Sequence, residues 1–377
     1  MLSFIHIADV HLDAPIRAMS VSYELRQDDF RRTMRTVRDL VLEKRADVWL
    51  IAGDLMELHG GRRTTAIFLR DLFASVAPTP VCIAPGNHDP WRADSFYQSL
   101  EWPGNVYWFT PEWGAFEFPE KSCVVYGWGF PQPHVYESPL ADFPGKLPGY
   151  RHHLMVLHAS VVNGGGEEHH PYAPVTVEQL AETGMDYIAL GHIHKPARFA
   201  HPVHRRTFAA YPGSPEGLSV KENGPRHVLY GELNEAGELL LEELPVQTRM
   251  IVRREIDIQG AETVDQVADI LESGLADVQD GQILDITLTG DRPVHFTPAT
   301  DVLEKRFSRF FAIRITDRTR PDLDAGKLVA EGGIWGRWLQ RLAEEEAAAA
   351  ASSDEQRQAV ARMAMKIALE RIGGMIG

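Results

Sequence analysis

Residues 2–11 read Leu2-Ser3-Phe4-Ile5-His6-Ile7-Ala8-Asp9-Val10-His11, an apolar run that ends on a carboxylate and an imidazole. The pattern returns four times. Val48–Ala52 is followed by Gly53-Asp54, Val81–Ala84 by Gly86-Asn87-His88-Asp89, residues 154–157 by His158, and residues 187–190 by Gly191-His192-Ile193-His194. Between the first three runs lie helical patterns: Phe30, Met34, Val37 and Val41 recur at helical spacing, and residues 64–76 repeat the period. Strand, helix, strand, helix, strand is the signature of an α/β layer architecture. In such sheets ligands bind beyond the carboxyl ends of the strands, so five runs deliver polar groups to one edge.

Each segment alone is ordinary. Asp-x-His is usually a solvated loop, Gly-Asp a turn, and a lone histidine in an apolar stretch a core residue. The repetition carries the argument, and the glycines before Asp54, Asn87 and His192 let the backbone turn sharply and approach a site closely. Carboxylate, imidazole and amide donors without thiolate suit Mn(II), Fe(II) or Zn(II). A carboxylate can bridge two ions. Two ions about 3.5–4 Å apart clamp the oxygens of an in-line displacement at phosphorus and generate hydroxide near neutral pH.

Outward from these motifs, the 377 residues predict two or three domains. A composition of 44% hydrophobic and 24% charged residues excludes long-range disorder and a disulfide-built miniprotein. Cys82 and Cys123 sit in apolar runs and read as buried free thiols rather than a disulfide. The start has no basic region before its apolar run, and no run approaches the roughly 18 residues that span a bilayer, so a soluble, cytoplasmic protein is expected. The formal charge is −15, which argues against a surface that grips nucleic acid throughout. Residues 216–290, however, hold 16 acidic and 5 basic side chains and so most of that excess, leaving the motif-bearing half nearly neutral. Bound divalent ions would make the site itself cationic, so the acidic balance does not argue against an anionic substrate there.

Beyond residue 122 the strands crowd together at 123–126, 154–157, 187–190, 207–210, 227–233 and 239–244 and read as a second sheet packed face to face on the first. A smaller unit follows, with strands at 250–258, 283–288 and 311–315 and helices at 261–274 and 300–307. From residue 322 the chain reads helical: Trp335, Trp338, Leu339 and Leu342 share one face, 347–351 is a short low-complexity link, Ser352 and Glu355 have capping-box spacing, and Gly373-Gly374 suit a helix stop. The expected fold is α/β (α+β): a two-sheet sandwich flanked by helices at 1–246, a small α+β domain at 247–320 and a helical tail at 321–377.

Together the five segments resemble the motif set of the calcineurin-like metallophosphoesterase superfamily, over roughly residues 1–215. The resemblance implies that Asp9, His11, Asp54 and His194 hold one metal ion and that Asp54, Asn87, His158 and His192 hold a second, with Asp54 bridging. It implies that His88 is the catalytic histidine, stabilising the transition state or protonating the leaving oxygen, and that Asp89 orients His88 or serves structure. The opening at Phe4–Asp13 and the element Tyr211-Pro212-Gly213-Ser214-Pro215-Glu216-Gly217 resemble the SbcD and YhaO type of DNA repair exonuclease. That resemblance implies an Mn(II)-dependent exonuclease compatible with endonuclease activity, a capping domain at 247–320 that helps position DNA, and a tail that docks on the coiled coil of an SMC-like ATPase. A homodimer is compatible with it, and a membrane partner is not implied. Where relatives carry a Leu-Phe-His run, this chain has Leu55-Met56-Glu57-Leu58-His59, which leaves open whether Glu57 or His59 takes the histidine's place. Two other readings keep the fold: a phosphoesterase acting on cyclic nucleotides or nucleotide sugars, and a catalytically silent scaffold for an ATPase. The extra module and tail argue against the first, the complete ligand set against the second.

Smaller signals surround the motifs. Arg62, Arg63, Arg92 and Lys195 lie close to them in sequence and are read as phosphate contacts, whereas Arg31, Arg32, Arg35 and Arg38 read as a solvated helix face. Trp91, Phe96 and Tyr97 fit two roles equally, stacking on bases or covering a helix against the core. His152, His153, His169 and His170 read as surface-loop residues rather than metal ligands.

Overall fold

The computed structural model describes residues 1–14, 23–57, 61–162, 171–293, 296–321, 325–351 and 355–376. The chain divides into two compact units, Met1–Ile251 and Val252–Gly377. Among its described residues the first carries twelve strands: β1 (Leu2–Ile7), β2 (Val48–Ala52), β3 (Val81–Ala84), β4 (Val106–Trp108), β5 (Gly114–Phe118), β6 (Cys123–Trp128), β7 (His152–His158), β8 (Tyr187–Gly191), β9 (Ala197–Ala200), β10 (Thr207–Tyr211), β11 (His227–Leu233) and β12 (Leu239–Pro245). They form two six-stranded sheets, ordered β12-β11-β1-β2-β3-β4 and β5-β6-β7-β8-β10-β9. β1 to β4 pair in parallel, as do β6, β7 and β8.

Both faces of each sheet are covered, which is why the central strands read as unbroken apolar runs rather than alternating ones. Along β1, Phe4 points into the space between the sheets with Leu50, Cys82, Leu154, Val156 and Tyr187. Ile5 and Ile7 point the other way, onto Phe30, Met34 and Val37 of α1 (Tyr23–Glu43) and Leu69 and Phe73 of α2 (Arg63–Ala74). The far face of the second sheet buries Tyr126, Met155, Leu157 and Ile188 against Leu180 of a short helix at Val177–Glu182. His6 is fully buried between the sheets, where its Nδ1 meets the Tyr187 hydroxyl at 2.8 Å and its Nε2 the Leu190 carbonyl at 3.2 Å; burial pushes it down to about 3, so it is neutral. Cys82 and Cys123 are free and buried.

Three expectations are corrected here. β11 and β12 belong to the first sheet, with β11 antiparallel to β1 (Phe4 opposite Gly231), because a strand after the second sheet can return to the open edge of the first. His152 and His153 are not surface-loop residues: they open β7, pair with Cys123 and Val124, and are buried, His153 facing Tyr126 and the Tyr150 carbonyl. The alanines at 347–351 are no link, since alanine is the strongest helix former and the helix at Ile334–Ala350 runs through nearly all of them.

The second unit holds a three-stranded sheet of β13 (Ile251–Asp257), β14 (Ile283–Thr289) and β16 (Ala312–Asp317), a two-residue pair β15 (Asp291–Arg292) and β17 (Arg320–Pro321), and helices at Val264–Gly274 and Thr300–Arg306. Its last part is helical, at Ala325–Glu331, Ile334–Ala350 and Glu355–Ile376. Leu339, Ala368 and Ile372 are the buried centre of these helices, with Trp335 and Leu342 packed against them, while Trp338, Met363 and Ile367 are exposed. The last helix continues through Gly373-Gly374 to Ile376: two glycines lower helix propensity without forbidding the helix. Ser352 of the expected capping box lies outside the described residues. No described helix is long and apolar enough to cross a membrane.

Candidate metal centre

All five sequence motifs meet at the carboxyl edge of the two sheets. The loops after β1 and β2 run side by side, with the amides of Asp9, His11 and Leu12 donating to the carbonyls of Gly53, Asp54 and Leu55. This extended pairing bends the backbone hard. Asp9, His11, Asp54 and His192 all have positive φ, at 53°, 51°, 51° and 102°. Non-glycine residues there cost about 1–3 kcal/mol each and gather where a site over-determines them. Gly53 has φ 83°, and a Cβ at Gly191 would overlap the Ala52 carbonyl, so neither position accepts a side chain.

The candidate donors fall into two clusters, and a third group joins His11 to Glu57 and His88. Atoms of Asp9, His11 and His194 lie within 4.8 Å of one another, as do atoms of Asp54, His158 and His192. Asp54 stands between them, its Oδ2 3.5 Å from His11 Nε2 and 3.3 Å from His158 Nε2, while its Oδ1 accepts from the His88 amide at 2.8 Å. Asn87 Oδ1 lies 3.0 Å from His158 Nε2 and 3.1 Å from His192 Nδ1. The His192 amide donates to Asp9.

The surrounding hydrogen bonds test whether these groups fit a cation. His11 Nδ1 is 2.8 Å from Glu57 Oε1 and His194 Nδ1 is 3.0 Å from Glu222 Oε1. Each carboxylate draws the proton of a neutral imidazole to Nδ1, leaving a lone pair on Nε2. The two Nε2 atoms then face each other at 3.1 Å. His158 likewise gives its Nδ1 proton to the Ala52 carbonyl at 2.9 Å and turns Nε2 toward Asn87 and Asp54. Acceptors therefore converge on acceptors, an arrangement that a divalent ion satisfies. With protons alone the charges sort themselves differently. Burial works against the charge on His158, yet Asp54 beside it raises its pKa to about 9. Burial and the His158 charge push His192 down to about 3. Burial also opposes the Asp54 charge, but His158, His11 and His88 hold that carboxyl well below its usual range.

His88 differs from the seven donors. Its side chain is 47% exposed, and its Nδ1 lies 3.0 Å from Glu57 Oε2, which raises its pKa to about 9. Its ring stands 4.7 Å from that of His11. Glu57 thus joins a donor histidine to His88, and burial that would raise its pKa is overcome by the hydrogen bonds from both, which hold it at about 2. His59 lies outside the described residues, as do His169 and His170.

Asp89 does not touch the His88 ring. Its buried carboxylate accepts from the amides of Gly86 (2.6 Å), Leu55 (2.7 Å) and Asp54 (3.1 Å) and from the Tyr97 hydroxyl (2.5 Å). It braces the two loops that carry Asp54 and Asn87. Tyr97 is correspondingly buried and stacks on Trp108, and Trp91 and Phe96 pack against the core beside it.

The calcineurin-like phosphoesterase family matches residues 2–196 of this sequence. The chain belongs to that family. Its members are hydrolases that use divalent metal ions. Among related sequences, the uncharacterized metallophosphoesterase YhaO of Bacillus subtilis is 29% identical over 251 residues, covering 62% of this chain and 59% of YhaO. The DNA double-strand break repair protein Mre11 of Aeropyrum pernix is 27% identical over 332 residues, covering 78% of this chain and 75% of that protein. Mre11 of Methanopyrus kandleri is 28% identical over 58% of this chain and 49% of its own length. The match to YhaO and to the Methanopyrus protein thus spans only about half to three-fifths of those relatives. Similar solved structures are TT1561 of Thermus thermophilus (TM-score 0.37, 13% identity, 64% of this chain and 98% of that one) and calcineurin-like phosphoesterase YfkN from Bacillus subtilis (TM-score 0.36, 12% identity, 73% and 97%).

Of the basic residues singled out in the sequence, Arg62 donates its amide to Asp13 and lays its guanidinium 4.9 Å from the Tyr23 ring, and Arg92 pairs with Asp94 at 3.0 Å. Arg63 opens α2, and it and Lys195 are exposed. Glu222 escaped the sequence reading. It sits in a loop with no periodicity to mark it, and only the fold brings it to His194, with Ser214 Oγ donating to its other oxygen at 2.7 Å.

Proposed function

We propose that this chain is a two-metal phosphodiesterase that hydrolyses DNA from an end, an exonuclease of DNA repair type working with Mn(II). The observation that carries the reading is the pair of donor clusters sharing Asp54, with the exposed ring of His88 at their edge. Asp9, His11, Asp54 and His194 would hold one ion, and Asp54, Asn87, His158 and His192 the other. Such ions would supply charge neutralisation at phosphate oxygens and water ionised near neutral pH. His88 faces the substrate side and is the proton donor for the leaving oxygen, held in place by Glu57 through Nδ1. Asp89 is a positioning residue, because its contacts are loop amides and Tyr97.

DNA is favoured as substrate by the role of the Mre11 relatives in DNA double-strand break repair and by the module and tail beyond residue 251, which a small phosphoester does not need. In this reading Arg62, Arg63, Arg92 and Lys195 contact backbone phosphates, the domain at 247–320 positions DNA, and the tail at 321–377 docks on a coiled-coil ATPase through exposed Trp338, Met363 and Ile367. A cytoplasmic site of action accompanies it. The test is hydrolysis in Mn(II) of end-labelled linear duplex, single-stranded DNA and a small phosphodiester. Shortening of DNA from its ends supports the proposal. Hydrolysis of the small ester alone selects a small-molecule phosphoesterase, and metal binding without hydrolysis selects a scaffold. Retained ATPase association after deletion of residues 322–377 would remove the docking role of the tail.

A further inference from the structure

A groove of about 810 Å³ opens on the first unit between the loop that joins β4 to β5 and the long loop after β6. Its walls are proline and indole: Pro111 and Trp113 from the first loop, Trp128 from the end of β6, and Pro131, Pro139 and Pro144 from the second loop. These walls are set before anything binds. Each proline fixes its own φ. Trp113 is pinned, with its Nε1 donating to the Pro139 carbonyl at 2.9 Å and its ring meeting that of Phe143 edge-on at 4.9 Å. Trp128 packs on Phe130, ring centroids 5.4 Å apart.

The polar groups of the groove lack complements. Glu112, Glu137 and Asp142 line it and are exposed, and no lysine or arginine lines it with them. Among the described residues, Ser138 Oγ is a buried atom of the same lining with no hydrogen-bond partner.

Each feature narrows the occupant. Carboxylates without cations repel the phosphates of nucleic acid and attract a positively charged group. Aromatic-lined grooves take proline-rich segments, whose extended conformation is preformed and so loses little entropy on docking. A polyproline helix makes no internal hydrogen bonds, so its carbonyls stay available to a donor such as the Ser138 hydroxyl. Size points the same way. The volume lies toward the upper end of the range for small-molecule sites, about 300–1,000 Å³. A thin polyamine would leave most of that space to water, whereas a run of several residues fills it.

We propose that this groove docks an extended, proline-containing basic segment of a partner protein, its arginines or lysines on Glu112, Glu137 and Asp142 and its prolines against Trp113 and Trp128. The proposal does not depend on which phosphoester the metal centre cleaves.

The experiment pans the full chain against a random peptide library displayed on phage. The variant Glu112→Gln/Glu137→Gln/Asp142→Asn, which alters exposed carboxylates only, serves as counter-selection. Peptides retained by wild type and not by the variant should carry proline together with arginine or lysine. The most enriched peptide, synthesised and titrated by calorimetry, should bind the triple variant about 3- to 100-fold more weakly than wild type. Replacing its prolines by glycine should weaken binding to wild type as well, because the extended form is then no longer preset. A wild type that enriches nothing over the variant overturns the proposal, and so do enriched peptides that lack proline or lack positive charge. Spermidine is titrated in parallel. If it binds wild type but not the triple variant while no peptide is selected, the groove is a polyamine site and the proposal fails.

Discussion

The first unit buries two polar clusters, and they are built on opposite rules. Around Arg26, every charge has its complement: the guanidinium meets Asp29 and Glu216 at 2.9 Å each and the Gly217 carbonyl at 2.7 Å, Arg249 adds a second cation on Asp29 at 2.8 Å, and Thr33 and the Thr248 amide complete Glu216 at 2.7 Å. Arg26, Asp29 and Glu216 are all nearly inaccessible. At the strand edge, by contrast, imidazole nitrogens face one another at 3.1 Å, and an amide oxygen faces two more at 3.0 and 3.1 Å. The backbone beneath Arg26, Asp29 and Thr33 is ordinary helix, whereas that beneath the edge holds four donor residues at positive φ. A closed cluster is a rivet. An open one, kept open by strain, is a place for something else to bind. Burial of charge therefore does not by itself mark a site; unmet valence does.

Substitutions can break this contrast, starting with the largest expected effect. Asp54→Ala removes the group shared by both donor clusters and should abolish both metal binding, read by equilibrium dialysis, and phosphodiester hydrolysis. His88→Asn should lower kcat by about 10²–10⁴-fold while bound metal stays at the wild-type level, because His88 groups with His11 and Glu57 and is in neither of the two clusters that flank Asp54. Wild-type turnover in purified His88→Asn would remove it from the mechanism. Arg26→Met leaves buried Glu216 without a cation and Asp29 with Arg249 alone, and should destabilise the fold by about 3–5 kcal/mol in denaturant titrations, with unaltered metal content in the folded fraction. Loss of metal from that folded fraction would show that the two clusters are not independent. Glu222→Gln leaves His194 in place but loosens its tautomer, so the affinity for one metal should drop about 10- to 100-fold by calorimetry. Tyr97→Phe should be mildest, costing about 1.5–3 kcal/mol of stability through Asp89 with both metals retained.

Much of this architecture was legible in the sequence for a physical reason. β1, β2 and β3 are covered on both faces, so their ends coincide with the ends of apolar runs, and the donors follow directly. β5 and β9 were not legible: they alternate between half-buried and exposed positions at the margins of a sheet, and β4 is three half-buried residues. Nor could the run at 227–233 announce which sheet it joins, because a buried strand looks alike in either. In the site, the seven donors and His88 sit at fixed offsets from strands, and the structure brings them together. Glu222 lies in a loop, where nothing in local pattern records a partner far away in the chain. Glu57 was visible as an alternative to His59, but only its two histidine contacts distinguish it.

The most direct test of the open cluster is bound manganese per chain, measured by elemental analysis after stripping with chelator and equilibrium dialysis against Mn(II). Two ions per wild-type chain and none per Asp54→Ala chain is the result this account predicts. Unchanged phosphodiester hydrolysis from a wild-type chain that binds no more than one ion would contradict it.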